Sequence, residues 1–315
     1  MAQKNLDRGA NRPLFTGILN VAKPAGMTSH DVVNYVRRSV GQRKVGHAGT
    51  LDPAAEGVLL VCLGAATRVS SYLMDSTKEY RATVRFGLTS TTDDAEGVLT
   101  PRGPIDHLSL DQIEAALDRL RGPIEQVPPA YAAIKVGGQP IYRLARAGKP
   151  VEVAPRSVTV HRLDVVSWAS PDLVLDVVCS KGTYVRALAR DVGDYLGVGA
   201  FLQSLVRTAS GRFRLTDSVT LPDVAAAADR GRLSQLLIPL EAAFDGWPRV
   251  FLAADEVARV RNGLPWHGEP ADAAGEVCAF DAGQRRLVAI LRRSEGEPTW
   301  RPDLVFAEVA DDGAA

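Results

Sequence analysis

The sequence predicts an α+β protein in which a mixed sheet carries packed helices and a small β-rich unit follows. Three observations lead there. Strand-like and helix-like runs interleave without the regular ~30-residue repeat of a βαβ protein. The run EYRATVRFG at 79–87 alternates strictly between apolar and polar residues, as a half-buried strand does. The short runs GEVCAFD, RRLVAILRR and DLVFAEV gather near the C-terminal end.

Each element follows from its residues. Ile18 to Ala22 reads as a short buried strand, stopped by Lys23-Pro24 and Gly26. Thr28 and Ser29 are candidate N-caps, and Val32, Val33, Val36 and Val40 then recur at helical spacing. Between 45 and 64, VGHAGTLDPAAEGVLLVCLG sets His47 and Asp52 in a glycine-punctuated loop ahead of an apolar run. In 79–87, Tyr80, Ala82, Val84 and Phe86 share one face, while Arg81, Thr83 and Arg85 share the other.

SLDQIEAALDRLR, at 109–121, opens with a Ser109/Gln112 capping box and carries Ile113, Ala116, Leu117 and Leu120 on one helical stripe. Residues 122–150 are rich in Pro, Gly, Tyr and basic side chains without a steady period, which predicts an extended surface insertion. Strands return at 157–168 and 172–179. After the SKGT turn, Val185, Leu188, Val192 and Leu196 form a buried helical stripe that leaves Arg186 off it in the first turn. An Ala-rich helical region ends at Gly246-Trp247-Pro248, so the expected domains are 1–245 and 246–315.

Composition sets the bounds. At 315 residues, with 46% hydrophobic and 23% charged residues, the chain has the balance of a globular protein of about two domains. Lys plus Arg number 37, as do Asp plus Glu, yet the basic residues cluster. Arg37, Arg38, Arg43 and Lys44 form one group, Lys135, Arg143, Arg146, Lys149 and Arg156 a second, and Arg207, Arg212 and Arg214 a third. Such clusters permit a polyanionic partner without requiring one. Three scattered cysteines and five histidines without HxxxH spacing argue against disulfide and zinc frameworks. The N-terminal residues lack an apolar h-region and no apolar run reaches ~18 residues, so a soluble, cytoplasmic protein is expected.

Asp52 supports two readings. Asp is a favoured N-cap and Pro53 suits the first helical position, so with a helix following, Asp52 would satisfy free backbone N–H groups worth ~1 kcal/mol. Alternatively it is a nucleophile. A carboxylate that attacks must project from a rigid loop and stay ionised, and burial alone drives it toward its protonated form, so it needs a fixed cation. Glycines at 46 and 49 permit close approach, and no P-loop or GxSxG element competes for the centre.

GHAGTLDPAAEGVLLVCLGAATR resembles the catalytic-aspartate motif of the TruB family of tRNA pseudouridine synthases, which modify uridine 55 of the T arm. LNVAKPAGMTSHDVV resembles that family's first motif, KEYRATVRFG its tyrosine motif and CSKGTYVRALARDVG its arginine motif. VPPAYAAIKVGGQPIYRLARAG and LQSLVRTASGRF match further segments in the family's order, so the likeness spans about Gly17 to Phe213.

The resemblance implies a mixed, mainly antiparallel sheet of the pseudouridine synthase fold and a C-terminal PUA-like β-barrel. It implies an isomerase that flips a uridine out of tRNA, breaks its N-glycosidic bond and rejoins ribose to carbon 5 without ATP, metal or redox cofactor. Asp52 matches the nucleophile, Arg186 the arginine that holds it ionised, and Tyr80 the tyrosine that stacks on the target base. His47 matches a residue that enters the opened T loop, Leu205 an apolar contact beneath the uracil, and Lys23 with Pro24 a motif that braces the loop. By pattern alone, Tyr80 and Leu205 also read as core, Arg186 as a helix-surface arginine, His47 as structural and Lys23 as a turn lysine. Lys135, Arg143, Arg146 and Lys149 fall in the family's RNA-gripping insertion. The expected partner is tRNA, with no membrane, no guide RNA and no obligate protein partner, and the expected state is a monomer.

Overall fold

The structure is a computed structural model, and it describes residues 15–132, 135–136, 139–140, 153–270, 275–293 and 296–306. A nine-stranded sheet organises the chain. Its path runs β1 (Gly17–Lys23), β3 (Glu56–Leu63), β12 (Ala200–Ser210), β4 (Lys78–Phe86), β11 (Asp172–Cys179), β10 (Arg156–Ala169) and β7 (Gly122–Gln126). Off this path β2 (Val45–Ala48) pairs with β3, and β13 (Phe213–Arg214) with β12. All pairings in this sheet are antiparallel except one, where Val206 and Arg207 of β12 run parallel to Glu56 and Gly57 of β3.

That crossing imposes a local requirement. A Cβ on Gly57, whose φ is +103°, would lie 2.2 Å from the Arg207 carbonyl oxygen, so only glycine allows the strands to meet there.

The helices are α1 (Ser29–Val40), α2 (Ser70–Met74), α3 (Leu110–Asp118), α4 (Val185–Tyr195) and α5 (Leu221–Asp229). Thr28 caps α1 through a capping box with Asp31, and Val32, Val33, Val36 and Val40 are buried. With α5 they pack on Leu19, Val21, Leu59 and Val61 of β1 and β3. Toward the other end of the sheet, α3 and α4 bury Ile113, Leu117, Leu188 and Val192 against β4, β10 and β11. Burying each such side chain contributes ~1.5–3 kcal/mol before chain entropy is counted.

Two expectations change. Residues 122–126 are not part of a surface insertion but form the edge strand β7, paired with Arg156–Val160. Pro123 is tolerated because an edge strand leaves one row of backbone groups unpaired. The run after Asp52 is a strand, β3, and not a helix. Seven of its eight residues are buried, and a strand covered on both faces shows no alternation to distinguish it from a buried helix.

β5 (Leu88–Ser90) and β6 (Leu99–Pro101) form a hairpin, as do the short β8 (Lys135–Val136) and β9 (Gln139–Pro140). A second sheet near the C-terminus runs β14 (Arg249–Leu252), β15 (Glu276–Asp281), β16 (Leu287–Arg292), β17 (Arg301–Val305), with α6 (Ala254–Arg261) on one face. Among the described residues this four-stranded path is open. Its other face, through Cys278, Phe280, Leu287 and Ile290, joins the same apolar cluster as Leu60, Leu73 and Phe244. Tyr72 closes the seam by donating to Asp303 at 3.0 Å and packing edge-on against Phe244 and Trp247. No helix among the described residues is long and apolar enough to cross a membrane.

Candidate active site

The loop between β2 and β3 is tied down residue by residue. Ser29, at the start of α1, donates its hydroxyl to the Leu51 carbonyl at 3.0 Å and accepts the Leu51 N–H at 2.9 Å. The Gly26 N–H donates to the Pro53 carbonyl at 2.9 Å. Lys23, 1% exposed, donates Nζ to the carbonyls of Ala55 at 2.6 Å, Pro24 at 2.9 Å and Pro53 at 3.1 Å. Thr28 therefore caps α1 while Ser29 clamps the loop, and the Lys23 ammonium faces protein carbonyls while Pro24 is exposed beside it. With no helix behind it, Asp52 is no cap. Its carboxylate is left for something else.

Arg186 meets it. Nε lies 3.0 Å from Asp52 Oδ2, and the two side chains are 7% and 42% exposed respectively. The guanidinium is therefore fixed in the protein while the carboxylate keeps an open side. Arg186 Nη1 also reaches Asp94 Oδ2 at 3.3 Å and donates to the Thr92 carbonyl at 3.2 Å, and Nη2 donates to the Tyr131 carbonyl at 3.4 Å. The helix start that carries it is anchored from β7: the Tyr184 N–H donates to Gln126 Oε1 at 2.8 Å, and Gln126 Nε2 donates to the Tyr184 carbonyl at 3.1 Å.

The 91–98 loop is held as firmly. Thr92 Oγ1 and the Glu96 N–H both donate to Asp94 Oδ1. The Leu202 N–H donates to the Asp93 carbonyl at 3.0 Å, and Arg190 pairs with Asp93 at 2.9 Å. A Cβ on Gly97 would come within 2.3 Å of Ser90 Oγ, so the loop closes tightly on itself.

Asp52, Pro53, Thr92, Val98, Tyr131 and Arg186 are among the residues lining a cleft of about 430 Å³. A larger cavity of about 640 Å³ lies between α2 and the C-terminal sheet, lined by Tyr72, Trp247, Arg212 and Arg292 among others, but none of the groups just described opens into it. Of these two, it is the cleft at Asp52 that holds a buried cation aimed at an accessible acid.

Electrostatics at Asp52 are a contest. Burial pushes its carboxyl above the usual aspartate value, Arg186 pulls it down, the Asp94 charge pushes it up again, and Lys23 pulls it down; the net shift is upward. Burial also raises the Tyr80 hydroxyl, 9% exposed on β4, with the Arg207 charge opposing the rise. His47 is shifted down, first by burial and then by the nearby Arg207 and His30 charges, so its imidazole is kept neutral. Its Nδ1 finds no hydrogen-bond partner among the described residues. Burial lowers Lys23 as well.

The remaining expected residues divide into three groups. Tyr80 lies in one apolar cluster with Leu51 and Ala55 of the loop, and Leu205, opposite Ala82 across β12 and β4, packs against that cluster. His47 sits on β2 opposite Val61. The backbone of Lys135 lies in β8, while Arg143, Arg146 and Lys149 lie outside the described residues. The sequence pattern does not single out Asp94 or Gln126 as site residues and offers Ser29 only as a helix cap; TTDDAEG carries adjacent acids in an aperiodic stretch. The expected basic group at 207–214 divides too. Arg212 and Arg214 are exposed and paired with Asp245 at 3.0 Å and Glu79 at 2.8 Å, whereas Arg207 is buried.

Comparison with known proteins places the chain. A family model described as TruB family pseudouridylate synthase (N terminal domain) matches residues 37–185, and one described as tRNA pseudouridylate synthase B C-terminal domain matches 186–245. A tRNA pseudouridine synthase B of Symbiobacterium thermophilum is 48% identical over 251 residues, covering 79% of this chain and 82% of that protein. One from Dehalococcoides mccartyi is 41% identical over 296 residues, covering 93% and 97%. The crystal structure of a Cbf5-Nop10-Gar1 complex contains a chain with a TM-score of 0.73 and 27% identity, covering 96% of this chain and 90% of that one. The chain belongs to the TruB family of pseudouridine synthases.

Proposed function

We infer that the protein isomerises uridine 55 in the T arm of tRNA to pseudouridine, with Asp52 as the nucleophile. The observation that carries the assignment of roles is the 3.0 Å contact between an accessible Asp52 carboxylate and a buried Arg186 guanidinium on the wall of a cleft. The reaction breaks the bond from ribose C1′ to N1 of uracil, turns the base and joins C1′ to C5; the C5 proton leaves to solvent or to a protein group, and N1 takes up one proton in exchange. No atom is gained or lost. Asp52 either bonds to the sugar as the base departs or takes a ribose proton to give a glycal, and both routes need it ionised. Arg186 serves by holding the carboxylate aimed and charged against the push of burial.

A uridine within the T loop must be everted, at a cost of a few kcal/mol. Tyr80 stacks on the everted base, returning ~1–3 kcal/mol, and Leu205 supports the uracil from below. His47, neutral, occupies space that the base leaves in the loop. Lys23 acts through the loop it braces, and Pro24 shapes the turn before α1. The basic residues Lys135, Arg143, Arg146 and Lys149 grip phosphates, adding affinity without sequence information.

Residues 1–245 act as the catalytic domain. Residues 246–315 act as a PUA-like unit that meets the acceptor-stem side of tRNA. The enzyme works in the cytoplasm as a stand-alone monomer, a reading supported by relatives at 41–48% identity being tRNA pseudouridine synthase B, against 27% for the chain of the Cbf5 complex. Incubating the purified protein with unmodified tRNA, and separately with a T-arm hairpin, tests this. Pseudouridine at position 55 in both is expected. A requirement for a guide RNA or added protein would exclude the stand-alone reading, and no product in any mixture would exclude the activity.

A further inference from the structure

Arg207 is a charged interior residue to which the reaction as described gives no part. It stands on β12 and is 1% exposed. Its Nε donates to the Val58 carbonyl at 2.7 Å, Nη2 to the Gly49 carbonyl at 3.1 Å and Nη1 to the Thr50 carbonyl at 3.4 Å. Arg207 forms no ion pair with a carboxylate among the described residues. It also reaches the Tyr80 hydroxyl, and its charged neighbours are cationic. Lys23, Lys78 and His47 all experience its charge as a repulsion.

Burying a guanidinium without a counter-ion is unfavourable, and an apolar side chain of similar volume would fill the space at lower cost. The three acceptors indicate what the charge does. Gly49 and Thr50 precede Asp52 in the chain, and Val58 follows it in β3. One planar group therefore joins both ends of the loop that presents the carboxylate. The other ties each hold one side of Asp52 only, Ser29 at Leu51 before it and Lys23 at Pro53 and Ala55 after it. The parallel meeting of β12 with β3 at Glu56 and Gly57 delivers Arg207 to that place, and the missing Gly57 side chain lets it pass.

We propose that Arg207 is the positioning residue of the Asp52 loop, a staple across the loop's two ends that sets the carboxylate against Arg186. It bonds to no reacting atom, and its contact with the Tyr80 hydroxyl ties the same staple to the floor of the site. Lysine is a poor substitute, because an ammonium gathers its acceptors around one atom, as Lys23 does, whereas Val58, Thr50 and Gly49 each face a different nitrogen of the planar guanidinium. This inference rests on the synthase reading of the same site.

The test uses Arg207→Lys and Arg207→Met in the full chain, with wild-type protein alongside. It measures the single-turnover rate of pseudouridine formation at saturating tRNA, the Kd for tRNA, the thermal melt, and amide exchange of the peptide spanning 49–55. We expect both variants to bind tRNA within about threefold of wild type and to lose rate on the order of 100-fold, the cost of a reacting group displaced by about 1 Å. Exchange in 49–55 should accelerate more than elsewhere. A wild-type rate in either folded variant, a loss confined to Kd, or failure of both to fold would overturn the proposal. Should wild-type protein itself make no pseudouridine, the synthase reading fails, and the exchange comparison alone still decides whether Arg207 holds the loop.

Discussion

Asp52 and Arg186 meet at 3.0 Å although one stands on a loop between β2 and β3 and the other on the first turn of α4. The helix is anchored at its start by Gln126 and the loop by Ser29 and Lys23, so the contact is made by two separately fixed frames. Fixing both partners before substrate arrives spares the reaction their reorganisation.

Replacing Asp52 with Asn separates chemistry from folding. Because the folded protein raises the Asp52 pKa, the ionised carboxylate opposes folding above that pKa, and the cost fades as pH falls below it. Asn removes the charge, and Arg186 retains Asp94 as a partner. Asp52→Asn should lose more than about 1000-fold in rate, bind tRNA normally and melt at or above the wild-type temperature at pH 7. A clear drop in melting temperature would make Asp52 a structural residue.

The pH dependence of the rate follows from the same contest. Activity should fall as pH drops through a value above the ordinary aspartate range, where Asp52 takes up a proton. Asp94 contributes to that elevation by like-charge repulsion. In Asp94→Asn the acidic limb should move to lower pH, while the rate at the plateau falls about 10-fold as Arg186 loses one of its anchors. An acidic limb that stays in place would show that Asp94 does not act on Asp52.

What could be read beforehand was whatever repeats locally. The valines of α1, the alternating faces around Tyr80 and the Ser109 capping box each announce an element through their own spacing. The chemistry-bearing motifs were legible by resemblance, residue by residue. Partnerships were not. That Ser29 clamps Leu51, that Asp94 shares Arg186 and that Arg207 is interior depend on β12 lying between β3 and β4, an order no local pattern encodes. Arg186 looked solvent-facing because it lies off the apolar stripe, yet the 91–98 loop and Tyr131 cover that side of α4.

Binding should be salt-dependent through the insertion. If Arg146 and Lys149 each neutralise a phosphate, the double substitution Arg146→Ala/Lys149→Ala should weaken tRNA binding and reduce the slope of log K against log salt by ~1.4–1.8. Rates at saturating tRNA should stay near wild type, because neither residue takes part in the chemistry. A wild-type slope measured from 50 to 200 mM salt would remove both residues from the phosphate grip.

Lys78 gives the fold a pH signature of its own. The side chain is buried at the start of β4, where Nζ donates to the carbonyls of Ser76 at 2.5 Å and Met74 at 3.0 Å. Burial, reinforced by the Arg207 charge, lowers its pKa from 10.5 to about 8. Below pH 8 both folded and unfolded chains hold this proton, so its contribution is constant. Between about 8 and 10.5 the unfolded chain keeps the proton that the folded one has released, and Lys78 therefore adds stability as pH rises, up to about 3 kcal/mol. Lys78→Met cannot titrate, so the melting temperature of wild type minus that of the variant should grow between pH 7.5 and 9.5. A difference that is flat across that window would mean the lysine keeps its ordinary pKa, and that the pressure of neighbouring cations beneath the Asp52 loop is weaker than the geometry implies.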